Sequence, residues 1–91
     1  MEKRAVITVV GRDSVGIISG ISGELAKNNV NILDISQSVL QDLFAMVMLV
    51  DASKCGMRFT DFAKELVTKG EEMNVKIHVM HEDIFNSMHR I

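Results

Sequence analysis

Gly11, Arg12, Asp13, Ser14, Val15, Gly16 and Ile17 are the densest group of residues in this 91-residue chain with the means to bind a small molecule. Two glycines bracket an arginine, an aspartate and a serine where a β-branched apolar run gives way to helical spacing. A strand-to-helix junction of that kind aims backbone N–H groups at a small anion. Glycine permits positive φ and close approach of a ligand, and Asp13 or Ser14 is placed to cap the helix that follows. The same residue types also make an ordinary tight turn. A P-loop is excluded, because Ile17-Ile18 stand where Lys and Ser or Thr are required.

The second group with chemical potential is His78, His81 and His89 beside Glu82 and Asp83. On an extended strand, residues three apart face opposite sides, so His78 and His81 share a metal only if the strand ends between them. No metal site and no cofactor are expected. Cys55, the single cysteine, stands beside Gly56 with no partner for an internal disulfide and reads as a loop thiol. No nucleophile with a base, paired carboxylates or cofactor motif occurs in order, so the chain does not read as an enzyme.

Charge and composition narrow the partners. Ten Lys and Arg against 12 Asp and Glu give a net charge of −2, and no basic run exceeds Lys3-Arg4. With four Phe and neither Tyr nor Trp to stack on bases, nucleic acid is not an expected partner. The longest apolar run, residues 43–50, falls well short of the roughly 20 residues of a membrane-spanning helix. The start, Met1-Glu2-Lys3-Arg4 before a short apolar stretch, reads as a strand rather than a signal peptide, which makes a soluble, cytoplasmic protein the expectation.

The elements that must position the glycine loop follow from periodicity. Residues 5–10 are apolar on both faces, as in a central strand. Ile17, Ile18, Ile21 and Leu25 recur at helical spacing over residues 15–28, with Gly20 and Gly23 weakening that helix by about 1 kcal/mol each relative to Ala, an effect that close packing would offset. Asn29 followed by Val30 suits a left-handed cap with a hydrophobic contact back to the helix. Residues 31–40 alternate as a strand, with Leu33, Ile35, Gln37 and Val39 on one face and Ile32, Asp34, Ser36, Ser38 and Leu40 on the other. Gln41-Asp42 is a hairpin turn into a strand that carries Phe44, Met46, Met48 and Val50 on one face and Ala45, Val47 and Leu49 on the other.

Phe59, Phe62, Leu66, Val67, Gly70 and Met73 then mark a second helix, on whose wet face Asp61 pairs with Lys64 and Glu65 with Lys69. Val75, Ile77 and Val79 mark a last strand, and Ile84, Phe85, Met88 and Ile91 a short tail helix. The order is βαββαβ plus a tail: an α+β, ferredoxin-like domain over residues 1–91, with a four-stranded antiparallel sheet, both helices on one face and the core at 4–80.

Two helices cover one sheet face, yet the third strand is apolar on both. Burying a large apolar side chain is worth about 1.5–3 kcal/mol, so the row Phe44, Met46 and Met48 is expected to form a homodimer or higher homo-oligomer interface. The alternative is that the tail helix folds back over that face.

Three segments in order resemble the ACT domain, a small regulatory module that binds amino acids in many metabolic enzymes and repressors. Asp13-Ser14-Val15-Gly16-Ile17 is similar to its Asp-x-x-Gly-Ile/Leu loop, and Asn29-Val30-Asn31-Ile32 to its passage into the second strand, while the βαββαβ order spans residues 4–80. Val15 stands where many ACT domains have proline. Residues 31–37 and the tail resemble the stand-alone single-ACT proteins of bacteria and archaea and one half of the glycine-cleavage-system transcriptional repressor.

The resemblance implies an amino-acid-binding regulatory module acting as a homo-oligomeric sensor, with a ligand site at Arg12, Asp13, Ser14, Val15, Gly16 and Ile17. It also implies contributions from Asn31, Ile32 and Asp34 and completion of the site by a neighbouring chain. The competing expectation is a protein-interaction adaptor that docks through its apolar sheet face and binds no small ligand.

Overall fold

The computed structural model describes residues 3–12 and 16–88. Its elements are β1 (Arg4–Arg12), α1 (Ile17–Lys27), β2 (Asn31–Leu40), β3 (Leu43–Asp51), α2 (Phe59–Glu72), β4 (Val75–His81) and α3 (Glu82–Met88). The strands form one antiparallel sheet in the order β2-β3-β1-β4, with β1 and β3 central. This is the ferredoxin-like arrangement expected from the sequence.

The core lies between the sheet and the two long helices. Ile7, Val9, Met46, Met48 and Val50 from the central strands meet Ile17, Ile21 and Leu25 of α1 and Phe62 and Leu66 of α2, all at most 2% exposed. Phe44, Met46 and Met48 therefore form no free interface; they are the row that the helices cover. The row left open on β3 is Leu43, Ala45, Val47 and Leu49, on the side where β1 presents Thr8 and Val10. Alternation decides which residues travel together, but two apolar rows do not reveal which one faces inward.

Both long helices end on asparagine in the left-handed region, Asn29 at φ 59° and Asn74 at φ 60°. After α1 the Val30 amide donates to the Leu25 carbonyl at 2.9 Å and the Asn29 amide to the Ala26 carbonyl at 3.1 Å. That pair of bonds is a Schellman cap, and it turns the chain into β2 with Val30 and Leu25 both buried.

Gly20 faces α2, where an added Cβ would lie 2.8 Å from the Met73 sulfur, while a Cβ at Gly23 would meet open space. Close packing thus accounts for the first helix glycine and not the second. Neither Asp61–Lys64 nor Glu65–Lys69 is an ion pair; those among the described residues are Arg4–Glu82 at 3.3 Å and Glu24–Lys27 at 3.7 Å.

One irregularity changes the reading of β2. Ile32 opposes Val50 and Asp34 opposes Leu49, leaving Leu33 as the extra residue of a β-bulge. The bulge reverses the alternation, so Ile32 shares the helix-side face with Ile35, Gln37 and Val39, while Asp34, Ser36, Ser38 and Leu40 lie on the open side. The hairpin is as expected: Leu40 opposes Leu43 across Gln41-Asp42, with Gln41 at φ 58°.

α3 meets β1 and β4 on the open side, where Glu82 pairs with Arg4 and Val6 is 4% exposed. The tail helix thus covers one corner of the open face and leaves Val10, Leu43 and Val47 uncovered. No helix of the described residues is long and apolar enough to cross a membrane.

Candidate functional site

β1 delivers the glycine loop to the end of the sheet shared with the β2–β3 hairpin, since Arg12 opposes Leu43 and Leu43 opposes Leu40. Arg12 is exposed there. Gly11 is held against the neighbouring strand: a Cβ would lie 2.7 Å from Val75 Cγ1 and 3.0 Å from Val75 Cα. Gly16 is the N-cap of α1 at φ 93°, in the left-handed region that favours glycine, and an added Cβ would touch nothing within 4 Å. The first glycine therefore answers to packing and the second to backbone geometry.

With Gly16 at the N-cap, the capping position belongs to neither Asp13 nor Ser14. Asp13, Ser14 and Val15 lie outside the described residues. The cap has no side chain to offer and α1 carries no acidic residue in its first turn, so among the described residues no side chain caps this helix terminus or offsets its positive field. Ile17 is 2% exposed, which leaves only its amide for a ligand.

The second group of expected ligand residues is at the opposite end of the sheet. Asn31 opposes Asp51, which opposes Arg4 at the start of β1. At roughly 3.4 Å per residue, Arg4 and Arg12 are about 27 Å apart. Asn31 is exposed and lines a surface cavity of about 460 Å³ with Ala26, Asn29, Val30 and Lys54. Lys54 brings a cation to this recess from the loop after β3, a placement invisible in a sequence where it stands 23 residues from Asn31.

Ile32 is half-buried against the core, and Asp34 accepts the Ile35 amide at 2.9 Å on the open side. The structure thus brings together Arg12, Gly16 and Ile17 at one end and Asn31 and Ile32 at the other, and separates the two sets within a chain.

Near the far end, the Asp51 carboxylate accepts the Ser53 amide at 2.9 Å, and that bond, followed by the Ser53 hydroxyl, holds its pKa below the ordinary 3.8. On β4, His78 opposes Thr8 on the open side, whereas His81 opposes Ala5 and stacks on Phe59 with centroids 4.0 Å apart. The two imidazoles face opposite sides, His89 lies outside the described residues, and no group of three metal-binding side chains occurs among the described residues.

A family model for the ACT domain matches residues 3–80. The chain belongs to the ACT domain family. The UPF0237 protein of Methanocaldococcus jannaschii is 54% identical over 88 residues, covering 97% of this chain and 98% of the relative. That of Listeria innocua is 48% identical over 97% of this chain and 99% of its own length. Among solved structures, an ACT domain protein from Streptococcus pneumoniae is similar at a TM-score of 0.81 and 41% identity, over 93% of this chain and 96% of that one.

A putative glycine cleavage system transcriptional repressor matches at a TM-score of 0.78 over 89% of this chain and 46% of that one; at 22% identity it shares the fold alone. ACT domains are in general regulatory modules that bind small molecules. In this ACT domain Gly16 opens α1 and the element order is βαββαβ, as the sequence resemblance implied, and Asn29 makes the left-handed exit expected from its residue type.

Proposed function

We propose that this ACT domain is a homo-oligomeric metabolic sensor that binds an amino acid or a related small acid at a site shared by two copies. The observation that supports this reading is the separation of the two polar groups, at residues 12–17 and at Asn31, to opposite ends of one sheet. Antiparallel pairing of two β2 edges about a two-fold axis reverses one copy against the other. Asn31 and Lys54 of a second copy would then approach the end that carries residues 12–17 of the first.

β2 suits that pairing: it is a ten-residue edge strand without Lys, Arg or Pro, its one charge is Asp34, and Leu33, Ile35, Val39 and Leu40 are exposed along it.

In this arrangement the amides of Gly16 and Ile17, with Arg12, receive the ligand carboxylate, and the helix terminus adds about 0.3–1 kcal/mol. Asp13 is assigned to the ligand ammonium, and Ser14 and Val15 are the remaining loop residues of the proposed site. Asn31 of the second copy supplies a donor and an acceptor, Lys54 a cation, and Ile32 and Asp34 flank them. Ligand bound between two copies stabilises their association by mass action. No nucleic acid, membrane or cofactor takes part.

The second reading, a protein adaptor without a small ligand, rests on exposed Val10, Leu43 and Val47 on the open sheet face. A thermal-shift screen against the proteinogenic amino acids and related small acids separates the two. A selective rise with one compound is the expected result, and a flat response at millimolar concentrations leaves the adaptor. Ser36→Lys, which sets like charges near the two-fold axis, is expected to lower the mass measured by light scattering to that of a monomer and to abolish the shift.

A further inference from the structure

The two edges of the sheet differ in kind. β2 is long, uncharged but for Asp34, and exposes Leu33, Ile35, Val39 and Leu40 among neutral polar residues. β4 is shorter, seven residues, and presents Lys76 and His78 on its open side. Beside it runs a groove of about 580 Å³ whose helix-side wall is Val67, 40% exposed, and the exposed Glu71 of α2, with Asn74 at one end and the buried Val75 and Ile77 of the strand at its floor; Val10, 49% exposed, borders the open side. The outer N–H and C=O groups of β4 have no strand partner, because β4 ends the sheet.

Two copies of this edge suit each other poorly, since a two-fold pairing about the middle of the strand brings Lys76 near its own counterpart and like charges across a strand pair destabilise it. The edge accepts a strand whose side chains alternate to match it: apolar ones on the helix side, over Val67 and beside the Glu71 carboxylate that repels acidic ones, and acidic ones toward Lys76 on the open side.

We propose that the outer edge of β4 is a docking site for an extended peptide segment of a regulated protein, in which apolar and acidic residues alternate, added to the sheet as a fifth strand. Main-chain hydrogen bonds hold the segment, and the alternation sets which segment is taken. The groove lies on the far side of β1 from β2, so β2 remains free to pair with a second copy while β4 is occupied. The site is independent of the amino-acid reading: a module that senses a ligand at one edge and holds a target at the other has both halves of a regulator.

The test is fluorescence polarisation with a labelled, end-blocked hexapeptide alternating valine and glutamate, against a matched peptide with lysine in place of glutamate. The glutamate peptide is expected to bind saturably and more tightly. Lys76→Glu is expected to weaken it by about two- to fivefold and to strengthen the lysine peptide by a similar factor, the range of an exposed ion pair. Lys76→Gln removes the preference without reversing it, and Val67→Ser weakens both peptides alike.

Amide chemical-shift changes in the bound protein should centre on residues 75–78 and Val67. Absence of saturable binding at millimolar peptide, an unaltered preference in Lys76→Glu, or shift changes centred on β2 would each overturn the proposal.

Discussion

Two residues show how much single positions determine here. Gly11 and Gly16 look equivalent in the sequence, yet one is excluded from bearing a side chain by Val75 and the other by its own φ of 93°. Gly11→Ala forces apart two paired strands and is expected to destabilise by about 1–3 kcal/mol, the cost of overpacking. Gly23→Ala, in the interior of α1 with open space around the new methyl, is expected to stabilise by about 1 kcal/mol. Chemical denaturation of the two variants checks both signs.

Asp51 carries a pH signature. Its folded pKa lies below 3.8 because the charged form accepts the Ser53 amide, so its contribution to stability is fully present above that value and is lost as pH falls through the folded pKa. Carboxyl NMR titration should place the Asp51 midpoint below 3.8. It should remain there in Ser53→Ala, because the backbone donor, the larger cause, is retained.

At the scale of the elements, local signals were legible and parity across the sheet was less so. Asn29 beside Val30 announced a left-handed exit because few residues tolerate that backbone, and Gln41-Asp42 stood as the polar break between two strands. The bulge at Leu33 left no such mark: the residues around it alternate well enough without it, and only the pairing with Leu49 and Val50 shows that one is extra.

The inversion on β3 has the same origin, since a strand apolar on both faces conceals which row the helices choose. Met48→Ala is therefore expected to cost about 2–5 kcal/mol, as for a cavity in a packed core, while Val47→Ser should change the stability of the isolated chain by about 0.5 kcal/mol or less. Thermal unfolding of the two variants at low protein concentration measures the difference.

The whole molecule is a slab of 39 × 35 × 19 Å with helices on one side and α3 across a corner of the other. Its candidate site was half legible: residue types marked the loop and the family resemblance pointed to the start of β2, but the distance between them had no mark, because sequence order gives no length to a sheet traversed twice. Lys54 escaped notice because a loop lysine carries no signal until the fold sets it beside Asn31. A site divided between the ends of one chain is the reason to bring in a second copy, and that claim is open to a direct test.

The measurement is calorimetric titration of a mixture of two variants with the amino acid that stabilises the wild-type protein. One variant, Asp13→Ala, damages the loop half; the other, Asn31→Ala combined with Lys54→Ala, damages the strand half. Neither alone should bind. After co-refolding, the mixture should recover about a quarter of the wild-type sites, because half of the dimers then hold one intact site of two. If the mixture binds no more than its components, each site lies within a single chain and the shared-site account is wrong.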